Sequence, residues 1–329
     1  MHLNRSARNP NFSSLVYKTN DDYSFVQFPV SHVLENRLIR IPKDPYYRLT
    51  DKDCPEVVGS CNGLICLRGD STDETTNDIK VWFRLWNPAT RTISDRLGSD
   101  DTYDWKYSKF VFCYDDSTGI YKVVALTAEY TQWITNVRVL SLSDNVWRII
   151  PSFPVVPFPV GPRVDDGVYF SSTINWRAYD IALKFVIISL DLVTETYTQM
   201  LPPPGFEDVV HATSGVCVLM NSFCFYHDFN ETDLVIWQMT EFGDEKSWTQ
   251  FLKFSYNNIP MIYGSGRYYL RLTPVYLSEN GDTLAFTNSL QDRAIIYNRR
   301  TNKARITRIN TKISWSSIKD YVESLVSTS

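Results

Sequence analysis

The segment Phe83-Arg-Leu-Trp-Asn-Pro-Ala-Thr-Arg-Thr-Ile93 is the most informative part of the sequence about its fold. It begins with a short apolar run, continues with a polar stretch, and ends with a branched residue. Asn and Pro favour tight turns, because Asn can hydrogen-bond to nearby backbone and Pro fixes its own φ angle. The segment therefore predicts a β-hairpin.

The same pattern recurs four more times along the chain, which predicts a repeat architecture. Aligned on one turn position, the five copies lie 47 to 60 residues apart, the length of a four-stranded propeller blade or slightly more. Another apolar segment precedes each copy, so each copy is interpreted as the outer hairpin of its blade. The later copies are Val139–Ile149, Ile187–Tyr197, Val235–Trp248 and Ile295–Arg305. We therefore predict an all-β, propeller-like ring of about six antiparallel blades.

The two ends of the chain are predicted to share one blade. Ser14–Tyr17 and Ser24–Phe28 alternate like strands, and Tyr321–Val326 alternates weakly. The tail also has residues at near-helical spacing, namely Trp315, Ile318, Val322 and Leu325. We expect N- and C-terminal strands to close the ring, which removes exposed sheet edges.

Proline-rich stretches are predicted to connect the blades. Pro151–Pro162 contains five prolines and Pro202–Gly205 three, and proline cannot donate a ladder hydrogen bond. The acidic, Thr-rich stretch Asp70–Asp78 is expected to form a hairpin tip.

The composition is that of a folded chain with no general attraction to nucleic acid or membranes. Of the 329 residues, 14% are aromatic, which favours strands over helices, and the net charge is −4. The N-terminus lacks the apolar region of a secretory leader, so we expect a cytoplasmic and/or nuclear protein. In that setting, the four cysteines in strand-like runs are expected to be reduced core thiols. They are Cys66, Cys113, Cys217 and Cys224.

No motif for catalysis, cofactor binding or metal binding is found, so we predict a protein that is not an enzyme. There is no Gly-x-Ser-x-Gly elbow and no phosphate-binding loop, and Gly264–Gly266 is interpreted as a flexible loop. His211, Cys217, Cys224 and His227 lie close together in sequence. Cys224 and His227 differ by an odd number of residues, however, so they would lie on opposite faces of a strand and could not share a zinc ion.

Three acidic pairs keep a second function class open, a carbohydrate-binding or glycoside-hydrolysing propeller. They are Asp100–Asp101, Asp115–Asp116 and Asp165–Asp166. All three stand in turn-like contexts, where Asp bonds to local backbone, and the sequence favours that interpretation.

Two further features have alternative interpretations. The segment Arg293–Lys312 is either a basic strip for an acidic partner or RNA, or a solvated outer hairpin, and the hairpin is favoured. Trp105, Trp133 and Trp176 lie in or near predicted loops. Each is either an exposed anchor for a partner or a cap on the core of its blade.

An ordered series of segments resembles the plant F-box-associated domain over residues 55–326. The segments are Gly59–Cys66, Trp86–Arg91, Phe112–Val124, Leu140–Trp147, Ile188–Leu192, Trp237–Met239 with Ser247–Thr249, and Tyr321–Val326. The resemblance implies a propeller-like domain that follows an F-box and captures target proteins for ubiquitination by a cullin–RING ligase of the SCF type. It also implies that loops of the propeller bind the target.

The chain departs from the family pattern in two respects. No segment of the sequence matches the family's helical F-box. Residues 1–12 instead resemble the stretch that follows an F-box, so we expect them to be a remnant of that segment and residues 13–329 to be the propeller domain. Binding to the Skp adaptor is then expected only where an F-box is supplied. The chain also lacks any Gly-Gly dipeptide, which kelch repeats carry.

Overall fold

The computed structural model describes residues 11–17, 23–35, 48–49, 53–76, 78–100, 105, 108–157, 167–206, 214–259, 272–288, 293–307 and 318–328. Within these residues the chain forms 26 strands in six antiparallel sheets, together with one short α-helix, α1 (Val30–Leu34), and two single-turn 3-10 helices, Glu245–Ser247 and Tyr256–Asn258. Five sheets are built from consecutive strands, and the sixth joins the two ends of the chain. The prediction of an all-β ring of about six antiparallel blades is confirmed.

The blades are numbered 1 to 6 in chain order. Blade 1 contains β26 (Lys319–Tyr321), β1 (Asn11–Tyr17), β2 (Tyr23–Pro29) and β3 (Arg48–Leu49). Blade 2 contains β4 (Glu56–Cys61), β5 (Leu64–Thr72), β6 (Ile79–Asn87), β7 (Thr92–Ile93) and β8 (Leu97–Asp100). Blade 3 contains β9 (Ser108–Asp115), β10 (Ile120–Glu129), β11 (Ile134–Ser141) and β12 (Val146–Phe153).

The second half of the ring follows the same plan. Blade 4 contains β13 (Val156–Pro157), β14 (Val168–Phe170), β15 (Thr173–Tyr179), β16 (Phe185–Asp191) and β17 (Tyr197–Met200). Blade 5 contains β18 (Ser214–Leu219), β19 (Ser222–Phe229), β20 (Asp233–Met239) and β21 (Trp248–Ser255). Blade 6 contains β22 (Leu272–Leu277), β23 (Thr283–Asn288), β24 (Arg293–Asn298) and β25 (Lys303–Ile306).

The five repeats form the third and fourth strands of blades 2 to 6, as predicted. In three of the five copies, the residue at the aligned turn position, Asn87, Asp191 or Asn298, accepts backbone hydrogen bonds through its side chain. Asn87 Oδ1 accepts from the amide of Ala89 at 2.9 Å, and Asp191 Oδ1 accepts from those of Val193 and Thr194, each at 2.8 Å. Each repeat is therefore a hairpin, and in these three copies a side chain closes its turn.

Apolar side chains fill the spaces between neighbouring blades and close the ring. The part of the chain that the structure describes contributes six buried clusters, one at each junction. They are centred on Phe83, Trp176, Phe225, Phe286, Ala285 and Tyr321 for the junctions of blades 2–3, 3–4, 4–5, 5–6, 6–1 and 1–2. Each blade thus buries both of its faces, which is the arrangement that stabilises a propeller.

The two ends of the chain meet in blade 1, which confirms the predicted closure. Residue Tyr321 of β26 pairs with Asn11 of β1 in antiparallel register. Within the described part of the tail, the strand is only three residues long. After it the tail runs to blade 2, where the side-chain Nδ2 of Asn87 donates to the backbone carbonyls of Ser324 at 3.0 Å and Val326 at 2.6 Å.

The proline-rich connector between blades 3 and 4 differs from the prediction, because most of its described residues are strand rather than linker. Val156–Pro157 forms β13, and Pro151 lies inside β12, the outer edge strand of its blade. Pairing with β11 shifts register at this point, so the missing N–H of Pro151 falls at an irregularity of the ladder. Residues 158–162 of the connector lie outside the described residues.

The antiparallel order places two kinds of loop at opposite ends of the ring. We call the end with the loops between second and third strands the upper rim. Its described loops lie near residues 73–78, 130–133, 180–184 and 230–232, on blades 2, 3, 4 and 5. The lower rim carries the turns between first and second and between third and fourth strands, such as Met220–Asn221.

All six cysteines are free thiols, and the four in strand-like runs are buried as predicted. Burial raises the pKa of the Cys66 and Cys113 thiols well above the usual value, so they stay protonated. In the described ranges, no helix has the length and apolar character that crossing a membrane requires.

Candidate functional site

Four apolar side chains are grouped on the upper rim of blades 3 and 4, and we call them the upper apolar patch. Ile181 is 79% exposed, Leu183 61% and Tyr130 46%, while Trp133 is half-buried beside them. Scattered exposed apolar residues are ordinary, but a group on adjacent loops is typical of a protein-binding surface. Aromatic residues in such a group are the most frequent binding hot spots.

Trp133 fixes the blade 3 loop against blade 4. Its indole Nε1 donates a hydrogen bond to the carbonyl of Tyr179, the last residue of β15, at 3.0 Å. Tyr130 packs edge-on against the Trp133 ring, with 6.5 Å between ring centroids. The two aromatic rings are therefore held in place before any partner arrives, which lowers the entropy cost of binding.

The blade 4 loop is a tight turn that directs two aliphatic side chains into solvent. The amide of Asp180 donates to the carbonyl of Lys184 at 3.0 Å, and the amide of Lys184 donates back to Asp180 Oδ1 at 2.8 Å. Between them, Leu183 has a left-handed backbone with φ 59°. That conformation costs a residue with a Cβ about 1–2 kcal/mol, so the loop stores strain while exposing Ile181 and Leu183.

The three tryptophans left open by the sequence have two different roles. Trp105 and Trp176 are each 1% exposed and belong to the clusters between blades, with Trp105 packed on Trp147 at a centroid distance of 4.7 Å. They are core residues. Only Trp133 is in a position to contact a partner.

Asp115, from the acidic pair Asp115–Asp116, has a structural role. Its side chain is 1% exposed and lies 3.2 Å from Lys122 Nζ, and Lys122 also donates to the carbonyl of Leu192 in blade 4 at 2.6 Å. Burial alone would raise the pKa of Asp115, but hydrogen bonds from Ser117, Thr118 and Lys122 outweigh it and hold the pKa well below the usual value. A carboxyl in this state cannot act as a proton donor near neutral pH.

The remaining acidic candidates do not form a catalytic pair among the described residues. Asp116 accepts hydrogen bonds from Tyr169 Oη at 2.7 Å and from Ser172 Oγ at 3.4 Å, which links blade 3 to blade 4. Asp100 ends β8. Asp101, Asp165 and Asp166 lie outside the described residues.

The side chains considered for zinc are separated by the sheet. Cys217 and Cys224 face each other across β18 and β19 and contribute to the cluster between blades 5 and 6. His227 lies on the other face, where its Nε2 is 3.3 Å from the indole Nε1 of Trp237 and burial lowers its pKa. His211 is outside the described residues, and within them no group of His, Cys, Asp and Glu is placed to hold a metal.

The described part of the basic segment is an outer hairpin, and three of its four arginines contact the protein itself. Arg300 lies 2.8 Å from Asp282 Oδ2, and Arg299 lies over the ring of Phe251 at 4.6 Å. Arg305 donates to the carbonyl of Leu34. These contacts favour the interpretation of the segment as a solvated hairpin over that of a nucleic-acid site. Arg308 and Lys312 lie outside the described residues.

Sequence reasoning identified Trp133 as a possible anchor but did not single out Tyr130, Ile181 or Leu183. The sequence does contain a signal for an exposed apolar loop, because Ile181 and Leu183 are aliphatic residues in the short stretch Asp180–Lys184 between two predicted strands. Turns at that position ordinarily carry Gly, Asn or Asp. The left-handed conformation of Leu183 required the structure.

Comparison with known proteins agrees with this description. A family model described as the F-box associated beta propeller domain matches residues 20–328. An F-box/kelch-repeat protein of Arabidopsis thaliana is 30% identical over 214 residues, which cover 62% of this chain and 54% of that protein. The F-box protein CPR1 of the same plant is 25% identical over 272 residues, or 70% of this chain and 63% of CPR1.

The chain thus spans between half and two thirds of the length of these relatives, and both are named as F-box proteins rather than enzymes. Among solved structures, a chain of a nidogen/laminin complex matches 96% of this chain and 99% of its own length. The TM-score is 0.45 at 7% identity, which supports no conclusion about function. The family model covers nearly the whole sequence, and this chain belongs to the F-box associated beta propeller domain family.

Proposed function

We propose that the propeller is the target-binding part of an SCF-type ubiquitin ligase receptor, with the upper apolar patch as its contact surface. The observation that carries the proposal is the exposure of Tyr130, Ile181 and Leu183 on adjacent loops beside the anchored Trp133. The F-box names of the relatives supply the ligase context.

The patch suits capture of a protein rather than chemistry. Three of its four side chains have no ionisable group, and burial raises the pKa of the fourth, the Tyr130 hydroxyl, so it stays protonated near neutral pH. Rigid aromatic anchors lose little entropy on binding and exclude water from the hydrogen bonds around them. The described acidic pair Asp115–Asp116 serves to join blades, so nothing specific favours the carbohydrate alternative.

Docking to the ligase is assigned to a segment other than the propeller. The family places an F-box ahead of this domain, and the F-box contacts the Skp adaptor. We therefore expect residues 1–329 to bind target without binding Skp, and we expect this to occur in the cytoplasm and/or nucleus. A pull-down with purified Skp adaptor tests the point, and robust direct binding by residues 1–329 would refute this division of roles.

A matched pair of variants tests the target-binding role. Ile181→Ser/Leu183→Ser removes two exposed aliphatic side chains from the upper rim. The control, Val193→Ser/Met220→Ser, removes two from the lower rim, where Val193 is 49% and Met220 52% exposed. Because all four side chains are largely in solvent, both variants should keep their unfolding free energy within about 1 kcal/mol of the parent.

Quantitative affinity capture from plant extract then compares the two variants with the parent. Proteins enriched by the parent should remain with the lower-rim control and fall at least tenfold with the upper-rim variant, as expected for loss of hot-spot contacts. Equal capture by the upper-rim variant would show that the patch is not the binding surface.

A further inference from the structure

The described loops between second and third strands on the upper rim are more acidic than the chain as a whole. Together with the strand residues that adjoin them, these loops cover residues 70–76, 78–80, 129–133, 180–184 and 229–233. They contain eight acidic side chains and only two basic ones, Lys80 and Lys184. The net charge of these ranges is −6, which is more negative than the −4 of the whole chain, so the rest of the chain has a small positive net charge.

The acidic residues flank the apolar patch on both sides. On blade 2, Asp70, Asp73, Glu74 and Asp78 are exposed, and Arg68 lies 3.5 Å from Asp70. On blade 5, Glu231 is exposed, while Asp233 lies 3.5 Å from Lys253. Around the ring, the acidic blade 2 loop is followed by the two apolar loops and then by the blade 5 loop, where Glu231 is exposed beside Phe229, which is 41% exposed and lies under Lys253.

Resting on the proposed function, we infer that this rim recognises a target segment with an apolar centre and lysine or arginine residues on both sides. Two or more large apolar side chains of the target would pack on Tyr130, Trp133, Ile181 and Leu183. Its basic residues would face the carboxylates of blades 2 and 5. Charges at the edge of an interface mainly raise the association rate and select the partner, and salt screens them.

The patch and the charges make separable contributions, which allows two sets of variants. The charge variant is Asp73→Asn/Glu74→Gln/Asp78→Asn; the new Asn at 73 keeps the Oδ1 that accepts from the amide of Thr75 at 2.7 Å. Its lower-rim control is Glu241→Gln/Asp244→Asn, where the new Asn likewise keeps the acceptor for Lys246. Ile181→Ser/Leu183→Ser is the patch variant.

The probe is a phage-displayed library of random 12-residue peptides, selected on the whole protein in low salt. We expect enriched peptides with two or more large apolar residues and a surplus of lysine or arginine. Affinity for a synthetic copy of such a peptide should fall at least tenfold with the patch variant. It should fall three- to tenfold with the charge variant in 50 mM salt, and this difference should disappear in 500 mM salt.

The other outcomes distinguish this inference from the proposed function. Enriched peptides that need the patch but carry no basic surplus, or that ignore the charge variant, would overturn the inference and leave the patch as the binding surface. Peptides that bind the patch variant as well as the parent would overturn both. A selection that enriches nothing would refute recognition of a short basic and apolar segment.

Discussion

Replacing Lys122 by Met should destabilise the propeller more than any exposed charge change. Lys122 and Asp115 have side chains 7% and 1% exposed, and the ammonium group also binds the carbonyl of Leu192 across the boundary between blades 3 and 4. The substitution leaves a buried carboxylate without its cation and a carbonyl without its donor. Breaking a buried pair in this way costs about 3–5 kcal/mol.

The remaining hydrogen bonds of Asp115 narrow the expected free-energy cost of Lys122→Met. Asp115 Oδ1 keeps the amide and hydroxyl of Ser117, at 3.0 and 2.7 Å, after Lys122 is lost. We therefore expect about 3 kcal/mol, the lower end. The double variant Lys122→Met/Asp115→Asn removes both charges and retains the turn acceptor, so it should be more stable than Lys122→Met alone by about 1–2 kcal/mol.

Urea unfolding followed by tryptophan fluorescence and far-UV circular dichroism measures these differences, provided that the two transitions coincide. The matched control is Arg148→Met, which breaks an exposed ion pair with Asp144 at 3.2 Å and should cost at most about 0.5 kcal/mol. A loss below about 1 kcal/mol for Lys122→Met would refute the claim that this pair joins the two blades.

The low pKa of Asp115 gives the pair a defined pH dependence. A carboxyl whose folded pKa is depressed stabilises the fold above its unfolded pKa of about 3.9, and this stabilisation is lost as pH falls towards the folded pKa. The stability difference between the parent and Asp115→Asn should therefore be constant from pH 7 to 5 and shrink below about pH 4.

Two further changes test the tail and the buried histidine. Asn87→Asp keeps the oxygen that closes the turn but loses the side-chain N–H groups that donate to the carbonyls of Ser324 and Val326. The free energy of unfolding should therefore fall by about 1–2 kcal/mol, and carboxypeptidase should trim the tail faster. Unchanged trimming would contradict the contact. Burial lowers the pKa of His227, so the parent should lose stability as pH falls from about 6.5. His227→Gln can still accept the hydrogen bond from Trp237 but does not titrate. In parallel urea titrations it should lose less stability than the parent between pH 7 and 5. Equal losses would show that His227 is not buried in its neutral form.

The repeat made most of the fold predictable. Asn87, Asp191 and Asn298 close equivalent turns with their side chains, so aligning them located the outer hairpins and the blade length correctly. Closure of the ring by the N- and C-terminal strands was predictable because unpaired sheet edges are unfavourable. The position of Pro151 was not predictable, because an irregular ladder is set by the neighbouring strand rather than by local sequence.

The candidate site was only partly predictable. Trp105, Trp133 and Trp176 look alike in sequence, and only packing shows that two of them fill the core. The patch arises because loops 130–133 and 180–184, about 50 residues apart in sequence, lie on neighbouring blades. The side chains that meet across a blade boundary are determined by how neighbouring blades pack in the ring. The periodicity of the sequence does not predict these contacts.

Site-specific photo-crosslinking tests the central claim most directly. A benzophenone amino acid replaces Ala182, between Ile181 and Leu183 on the upper rim, or Met220 on the lower rim, and each protein is irradiated with a captured target. Adducts should form from position 182 and stay at background from position 220. Adducts from position 220 alone would place the target on the lower rim and contradict the assignment of the upper apolar patch as the receptor surface.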